Sequence, residues 1–558
     1  MADIREIALL QQQHSARNAP PWARFASQLK LLLRRFVVLT SGTPLRILYQ
    51  AVYRAHIGYA LRQLRRFPGT RAVYLARGLA SPDVVYGVSD IDLVTLGDWS
   101  DADHGKVVAA MQRLNRLSPL YDTTLADQVH QIPVVRNLFE TDYSVQFRFT
   151  QGRRSWKLLF GADLNAQLPA VCPEKIPGGF YMEVRNWWRY FAGSAFGGGP
   201  LAVDEIFRNS ICFKAVADIV DIQFRMANGA GSASRKEAVE RAGSVDGTGH
   251  SAYLRRLLNC ARRRFLRFDG DVIEETFRFL LPAIDAFHAE LAATPLMAAI
   301  GDGVRIDATA AETLRTPAAQ AHAMAIAEFA RKCWPGYRGS YLTPSLSFLN
   351  MDDLLLIVDV DAARLPSAAQ VRALCRRHAE AAANLRQRVS IYLRLDDGAF
   401  QLDILSPIEL WHFLISPAAV PDVFAPEGID AFRIDGAPRA GVIPRWTRFA
   451  RDLVDEELAV RRKAMSKMSE AGRLMPSLVI LRNLWRHLQL EVVQRSAEMG
   501  RPVIPLTPHA VCRALASWGV DATALEGLRD AYAGELEGRP CDAAALLRNA
   551  MPFFAQLV

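Results

Sequence analysis

The sequence lacks several features that would place it in a familiar class of protein. Its 558 residues include seven cysteines, an odd number, and none forms a Cys-x-x-Cys pair. This pattern favours reduced thiols over disulfides or structural zinc. No apolar run reaches the roughly 18 to 20 residues of a membrane helix, and the N-terminus lacks the basic start and apolar core of a secretory signal. We therefore expect a cytoplasmic protein without a transmembrane segment.

Acidic residues are missing from a long N-terminal stretch. No Asp or Glu occurs between Ile7 and Pro82, whereas arginine recurs there, and the whole chain carries a net charge of +9. Apolar residues alternate with the basic ones, as in helices that lie on lipid, and any polyanion would be attracted too. Residues 17–77 are thus a candidate contact with a membrane surface or a polyanion, which would make the protein peripheral to the membrane. Ordinary solvated helical faces are the alternative.

Common catalytic motifs are also missing: there is no Gly-x-x-x-x-Gly-Lys loop, no Gly-x-Ser-x-Gly turn and no His-Glu-x-x-His helix. The sequence does contain Ser89-Asp90-Ile91-Asp92-Leu93, followed by more apolar residues. This pattern predicts a buried strand with Asp90 and Asp92 on one face at its start, since side chains alternate along a strand. Two such carboxylates can hold a divalent cation. A solvated turn that happens to contain two aspartates is the alternative.

The order of helix and strand signals predicts an α+β protein. Two small mixed sheets, each followed by a helical region, are expected after a helical N-terminal segment. Strands are predicted at 72–76, after Asp90, at 120–126 and at 143–149, with a helix capped by Ser100 or Asp101 between the second and third. The Gly- and Ser-rich stretch 227–251 is predicted to be a mobile loop. The expected regions are a basic helical segment 1–69, a catalytic domain 70–165, a helical domain 166–292, a linker 293–319, a second small domain 320–420 and a helical domain 421–558.

The same order of signals occurs twice. Leu79-Ala80-Ser81-Pro82 and the Asp90 strand align without a gap on Tyr341-Leu342-Thr343-Pro344 and the strand after Asp352. An internal duplication is inferred, with chance similarity in an Ala-, Leu- and Arg-rich chain as the alternative. In the second copy Leu354 stands where Asp92 stands, and Leu488 stands where Lys214 stands. We therefore predict that the second copy is degenerate.

The first copy resembles the DNA polymerase β-like nucleotidyltransferase superfamily, on the strength of Gly78 followed by Ser89-Asp90-Ile91-Asp92-Leu93. The resemblance covers about 90 residues. It implies transfer of a nucleoside monophosphate from a nucleoside triphosphate to an acceptor hydroxyl, with two Mg²⁺ ions, or Mn²⁺, as cofactor. It also implies a set of site residues: metal-binding and catalytic Asp90, Asp92 and Asp122, and nucleotide-binding Gly78, Ser89, Lys157, Arg208 and Lys214.

One departure from the superfamily pattern lies next to Gly78, where Leu79 replaces the expected small polar residue. The sequence therefore also allows a catalytically inactive scaffold that docks on partners through its basic N-terminus. A nucleotide-sugar glycosyltransferase is a third interpretation of Asp90-x-Asp92. It ranks last, because that fold normally places several strand and helix repeats before the acids, and this chain has mainly basic helices there. The sequence does not indicate the acceptor.

Overall fold

The computed structural model describes most of the chain and divides it into two compact units. The first unit comprises residues 11–194 and 199–280, and the second comprises residues 1–10, 195–198 and 281–558. The described residues are 21–81, 83–118, 120–121, 125–133, 135, 156–168, 173–196, 204–229, 231–244, 250–300, 304–307, 316–344, 354–382, 385–395, 399–402, 446–455, 457–458, 477–520, 522–542, 545–546 and 548.

The first unit begins with two helices and continues into a small sheet. Its elements are α1 (Pro21–Thr40), α2 (Arg46–Leu64), β1 (Thr70–Ala76), a short α3 (Arg77–Ala80), β2 (Asp92–Gly97), α4 (Asp101–Leu117), β3 (Val129–Gln131) and β4 (Lys157–Gly161). The strand order is β3-β2-β1-β4. Strand β1 runs antiparallel to both β2 and β4, while β2 and β3 are parallel.

Strand β2 is buried on both faces, which explains the unbroken apolar run after Asp92. Leu93 packs with apolar residues of α2 and α4, whereas Val94 and Leu96 pack on the opposite face with Trp156. Ser100 caps α4 as predicted, because its hydroxyl accepts a hydrogen bond from the backbone N–H of Asp103. These contacts fix β2 as the central strand of the unit.

The prediction of a strand at 120–126 was wrong in its extent. Tyr121 forms an isolated parallel bridge with Ile91, Leu125–Gln128 is a 3₁₀ turn, and the strand itself begins at Val129. The side chain of Leu125 is fully buried, so the turn is anchored in the core rather than extended along the sheet. The strand predicted at 143–149 lies outside the described residues.

Helices complete the first unit: α5 (Ile176–Ala195), α6 (Glu205–Asn228), α7 (Arg235–Ser244), α8 (Ser251–Arg262) and α9 (Val272–Ala292), the last continuing into the second unit. Helix α7 lies inside the stretch predicted to be a mobile loop, so that prediction was wrong. Ser234 caps α7 by accepting from the N–H of Glu237, and the Glu237 carboxylate accepts from the N–H of Ala233. This exchange is a variant of the capping box, and it stabilises a helix despite the polar composition.

The second unit contains another small sheet and a set of helices. Its elements are β5 (Arg305–Asp307), α10 (Pro317–Cys333), β6 (Tyr337–Pro344), β7 (Leu354–Val360), α11 (Ala368–Ala382), β8 (Val389–Arg394), β9 (Ala399–Gln401), α12 (Ser477–Glu498), β10 (Val503–Pro505), α13 (Pro508–Ser517) and α14 (Thr523–Glu537). The sheet has the order β6-β7-β8-β9. Strand β5 falls within the stretch 293–319 and pairs in parallel with β10.

A three-strand pattern recurs in the two sheets. In each, an antiparallel pair (β1 and β2, or β6 and β7) is extended by a strand parallel to its second member (β3 or β8). Helices α4 and α11 occupy corresponding places before β3 and β8. Asp92 is the first residue of β2 and Leu354 the first of β7, as the sequence alignment predicts. A common origin of the two halves remains a prediction.

The alignment of the first strands was wrong. Ala76 pairs with Asp92, whereas Pro344 pairs with Leu354. Ala76 therefore corresponds structurally to Pro344, and the stretch from Leu79 does not correspond to Tyr341–Pro344. The gap-free sequence alignment failed here because fewer residues separate β6 from β7 than separate β1 from β2.

The architecture confirms the predicted α+β class, with two small four-stranded mixed sheets, each followed by helices. Six cysteines lie among the described residues, and all six are free thiols. In the same part of the chain, no helix combines the length and apolar character required to traverse a bilayer.

Candidate active site

The two predicted carboxylates lie at the start of the central strand of the first unit. Asp92 opens β2 and is only 3% exposed, while Asp90 is half-buried two residues earlier. Ile91, between them, packs into the same apolar cluster as Leu93. Since side chains alternate along extended chain, Asp90 and Asp92 belong to the opposite face, the one that Val94 occupies further along.

Helix α2 holds the turn that leads into the acidic strand. The hydroxyl of Tyr53 donates to the carbonyl oxygen of Ser89 at 2.9 Å, and the N–H of Gly87 donates to that hydroxyl at 3.4 Å. Burial raises the pKa of Tyr53 to about 12, and the charge of Asp90 adds to the rise. Tyr53 is therefore a neutral donor at physiological pH, suited to fixing the backbone beside Asp90.

Gly87 allows this turn to lie close against helix α1. Its φ of +88° is in the region that favours glycine, and a Cβ at this position would lie 3.0 Å from the Val38 side chain and 3.2 Å from the Arg34 carbonyl oxygen. Any residue with a side chain would therefore be strained at position 87, both by the positive φ and by contact with α1. Helices α1 and α2 together set the position of the loop before Asp90.

Gly78 and Ser89, two of the predicted nucleotide-binding residues, lie side by side. A Cβ on Gly78 would be 3.3 Å from the Ser89 hydroxyl oxygen. That oxygen also accepts a hydrogen bond from the N–H of Val85. Leu79, by contrast, packs against the apolar cluster between the sheet and α4. The hydroxyl next to Gly78 is thus supplied by Ser89 across the loop, whereas position 79 contributes to the core.

Lys214 on α6 lies within the electrostatic field of the two carboxylates. Burial lowers the pKa of its ammonium group below the ordinary value, and the charge of Arg235 lowers it too. The charges of Asp90 and Asp92 act in the opposite sense and raise the pKa. The charges of Asp90 and Asp92 thus act on Lys214 across more than a hundred residues of sequence, and its role in nucleotide binding stays a prediction.

Arg235 on α7 is a neighbour of this site that sequence reasoning missed. Its guanidinium forms two hydrogen bonds of 2.7 Å with the carboxylate of Asp218 on α6, and it lies 5.5 Å from the ring centre of Trp187. The next residue, Lys236, pairs with Asp83 in the loop before Asp90. The signal that could have revealed this helix is Ser234 followed by Glu237 three residues later.

The remaining predicted residues are less closely associated with Asp92. Lys157 is exposed on β4, and β1 separates β4 from β2. Arg208 precedes Lys214 by six residues on α6, which places the two side chains about 120° apart around the helix; the charge of Arg208 acts on the buried Cys212 thiol. Their roles in nucleotide binding remain predictions.

Asp122 lies outside the described residues, so its predicted role as third carboxylate stays a prediction. Tyr121, directly before it, bridges to Ile91, which directly precedes Asp92. Among the described residues, no group of three or more His, Cys, Asp or Glu side chains forms a metal site. The available donors, Asp90 and Asp92, offer carboxylate oxygens, which are the ligands that Mg²⁺ prefers.

No protein-family model and no curated protein matches the chain. Among solved structures, the chain is similar to the spectinomycin adenyltransferase from Enterococcus faecialis, whose crystal structure contains ATP and spectinomycin. The identity is 12%, the match covers 43% of this chain and 98% of that chain, and the TM-score is 0.29.

Proposed function

We propose that this protein is a metal-dependent nucleotidyltransferase that moves a nucleoside monophosphate from a nucleoside triphosphate to an acceptor hydroxyl. The observation that supports the proposal is that the charges of Asp90 and Asp92, at the start of the central strand, act on the Lys214 ammonium. Two carboxylates whose charges act on one ammonium can bind cations, while the ammonium binds phosphate. No cysteine or histidine is required for this chemistry.

The residues present fit a hard divalent cation such as Mg²⁺. A carboxylate as buried as Asp92 is costly unless positive charge lies near it, and Lys214 supplies one such charge. Asp90 and Asp92 would be ligands, with Asp122 proposed as the third. When bound, such an ion neutralises phosphate charge and promotes ionisation of the acceptor oxygen.

The chain's own residues would position the nucleotide. The Lys214 ammonium would neutralise charge on the phosphates, and the backbone N–H groups near Gly78 would donate to phosphate oxygens. Ser89 would provide the hydroxyl that position 79 lacks. Tyr53 would keep the loop fixed by its bond to the Ser89 carbonyl, so the carboxylates would be in place before the nucleotide arrives.

The direct test is to incubate the protein with each labelled nucleoside triphosphate, Mg²⁺ or Mn²⁺, and candidate acceptors of several classes. Pyrophosphate release and label transfer are then measured. Asp92→Asn should lower transfer at least about a thousandfold, because charge stabilisation by bound metal contributes several kcal/mol. Asp98→Asn is the matched control at the exposed far end of β2, where the carboxylate pairs with Arg71, and it should keep most of the activity.

Two results would count against this function. If wild type and Asp92→Asn release equally little pyrophosphate and neither binds nucleotide, the enzyme assignment is wrong. If wild type binds nucleotide without turnover under all these conditions, the chain is better described as an inactive scaffold with a nucleotide site. One observation favours the inactive scaffold: Leu79 packs against the apolar core and offers no polar group to a nucleotide.

A further inference from the structure

We propose that helices α1 and α2 bind the surface of an anionic lipid bilayer. The evidence is a set of large apolar side chains that these helices expose to solvent, each between 38% and 72% exposed. We call this set the N-terminal apolar surface; it comprises Leu32, Leu33 and Phe36 of α1 and Ile47, Leu48 and Val52 of α2. The inference concerns the solvent-facing sides of α1 and α2 and does not depend on the chemistry proposed above.

On helix α1, the exposed apolar residues share one face while the opposite face packs inward. At about 100° per residue, Leu32, Leu33 and Phe36 fall within roughly one third of the helix circumference. Val38 is fully buried and contacts the turn at Gly87, and Arg34 forms an ion pair with Asp204. One face of α1 is therefore used in packing, and the apolar side chains on the other face have no such role.

Helix α2 repeats the arrangement. Tyr53, Ala60 and Leu64 are buried and occupy one side of the helix, whereas Ile47, Leu48 and Val52 lie toward the other. The sequence of α2 is therefore apolar on both sides, although only one side packs into the core. Large apolar side chains exposed in such numbers on neighbouring helical segments are typical of an interaction surface.

The positive charge of α1 and α2 indicates which kind of partner binds the N-terminal apolar surface. Arg35, Arg46 and Arg54 are exposed on the same two helices, and no acid occurs between Ile7 and Pro82 to neutralise them. Apolar side chains bordered by arginine match a bilayer with anionic headgroups, where the apolar groups enter the boundary layer and the guanidinium groups contact phosphate. A second copy of the chain would instead bring arginine against arginine. A nucleic acid would pair with the arginines but leave Leu32 and its neighbours in water.

The test is flotation of the whole chain with two kinds of vesicle, phosphatidylcholine alone and phosphatidylcholine mixed with phosphatidylserine. We expect binding to the mixed vesicles and weaker binding as salt is raised, since salt screens the arginine contacts. The double variant Leu32→Ser with Phe36→Ser should reduce the partition coefficient at least about tenfold. Arg35→Gln and Arg54→Gln should each reduce it about fivefold, and only on the anionic vesicles.

A matched control removes equally exposed apolar side chains elsewhere. Leu117→Ser with Met499→Ser changes two residues that are 67% and 52% exposed, and it should leave vesicle binding unaltered. Because all the altered side chains are exposed, circular dichroism and thermal unfolding of each variant should match the wild type. A variant that lost binding together with its fold would be replaced by the arginine variants, which leave the apolar packing untouched.

Three outcomes would overturn the proposal. Failure of the wild type to float with phosphatidylserine vesicles would exclude the lipid surface. A concentration-dependent dimer that Leu32→Ser with Phe36→Ser converts to monomer, without vesicle binding, would identify a second copy as the partner. Vesicle binding that the control variant weakens as much as the test variant would show nonspecific adhesion.

Discussion

Lys214 illustrates how a single residue acquires its properties from its surroundings. Burial alone would favour the neutral amine, and the two nearby carboxylates draw it back toward the charged form. A lysine in this situation is poised to exchange its interaction with carboxylates for one with phosphate. Its position on α6 makes it the clearest candidate for a direct contact with the nucleotide.

We predict that Lys214→Met weakens binding of the nucleoside triphosphate roughly ten- to hundredfold, the usual contribution of a charge-assisted contact. The methionine retains the length of the side chain and removes only the charge. Nucleotide affinity should be measured by equilibrium binding, with Lys106→Met as control, because Lys106 is exposed and pairs with Asp103 on α4. Equal affinity of the Lys214 variant and wild type would remove Lys214 from the nucleotide site.

Among the elements of the second unit, α10 and α11 are joined by two buried histidines. A ring nitrogen of His322 on α10 lies 2.8 Å from one of His378 on α11, within hydrogen-bond distance. Burial lowers the pKa of both imidazoles to about 4, and the charge of His378 contributes to the shift at His322. Both rings are therefore neutral at pH 7, and one donates to the other.

This pair predicts an acid-sensitive contact between the two helices. Unfolded histidine binds a proton near pH 6.5, but the folded pair does so only near pH 4. The unfolded state thus takes up more protons between these values, so stability is complete above about pH 6.5 and falls as the pH decreases toward 4. The loss is on the order of 3 kcal/mol for one such histidine.

Hydrogen exchange of α10 and α11, corrected for the intrinsic rate, would measure the effect at pH 7 and pH 5. His378→Gln keeps a hydrogen-bonding side chain that does not titrate, so its protection should change less with pH than that of the wild type. Some pH dependence should remain, because His322 is still present and half-buried His288 on α9 also has its pKa lowered to about 4. Parallel loss of protection in variant and wild type would contradict the prediction.

Helices α1 and α2 each have two faces with different roles. Their inward faces hold the turn at Gly87 and Ser89, and their outward faces carry the N-terminal apolar surface. The hydrophobic pattern of these helices therefore has two physical origins. A reading of the sequence that assigns every apolar residue to a core would miss the second.

At the scale of the whole molecule, two sheets share a strand pattern and differ in the residues that could bind metal. Among the described residues, Leu354 and its parallel partner Val389 supply no carboxylate at the start of β7, and Asp352 and Asp353, directly before the strand, lie outside them. Asp359, at the other end of that strand, is already paired with Arg394. That the second sheet lacks the proposed chemistry stays a prediction, which rests on Leu354 in the place of Asp92.

We accordingly predict a single nucleotide site per chain. Equilibrium dialysis of the whole protein with a labelled, nonhydrolysable nucleotide and Mn²⁺ should give one bound nucleotide, and Asp92→Asn should abolish it. Leu354→Ala serves as the comparison in the second sheet and should leave the stoichiometry unchanged. Two bound nucleotides in the wild type, one of which survives Asp92→Asn, would show that the second sheet also binds nucleotide.

The sequence by itself determined the features that depend on local pattern. The apolar run after Asp92 required a buried strand, Ser100 predicted the start of α4, and Leu354 in the place of Asp92 predicted that the second sheet differs from the first at the start of this strand. The first two follow from alternation and capping, which involve residues close together in the chain, and the third follows from comparing two short stretches of sequence. The wrong predictions, a strand at 120–126 and a loop at 227–251, arose where a buried Leu125 and a capping exchange at Ser234 outweighed composition.

Only the tertiary structure decided which distant residues meet. It brought Lys214 into the field of Asp90 and Asp92, placed Ser89 beside Gly78, and set Tyr53 against the loop. It also separated the apolar side chains of α1 that pack inward from those that stay in solvent. These outcomes depend on packing between segments far apart in sequence, and no local pattern specifies them, because burial and electrostatic fields are properties of the folded chain.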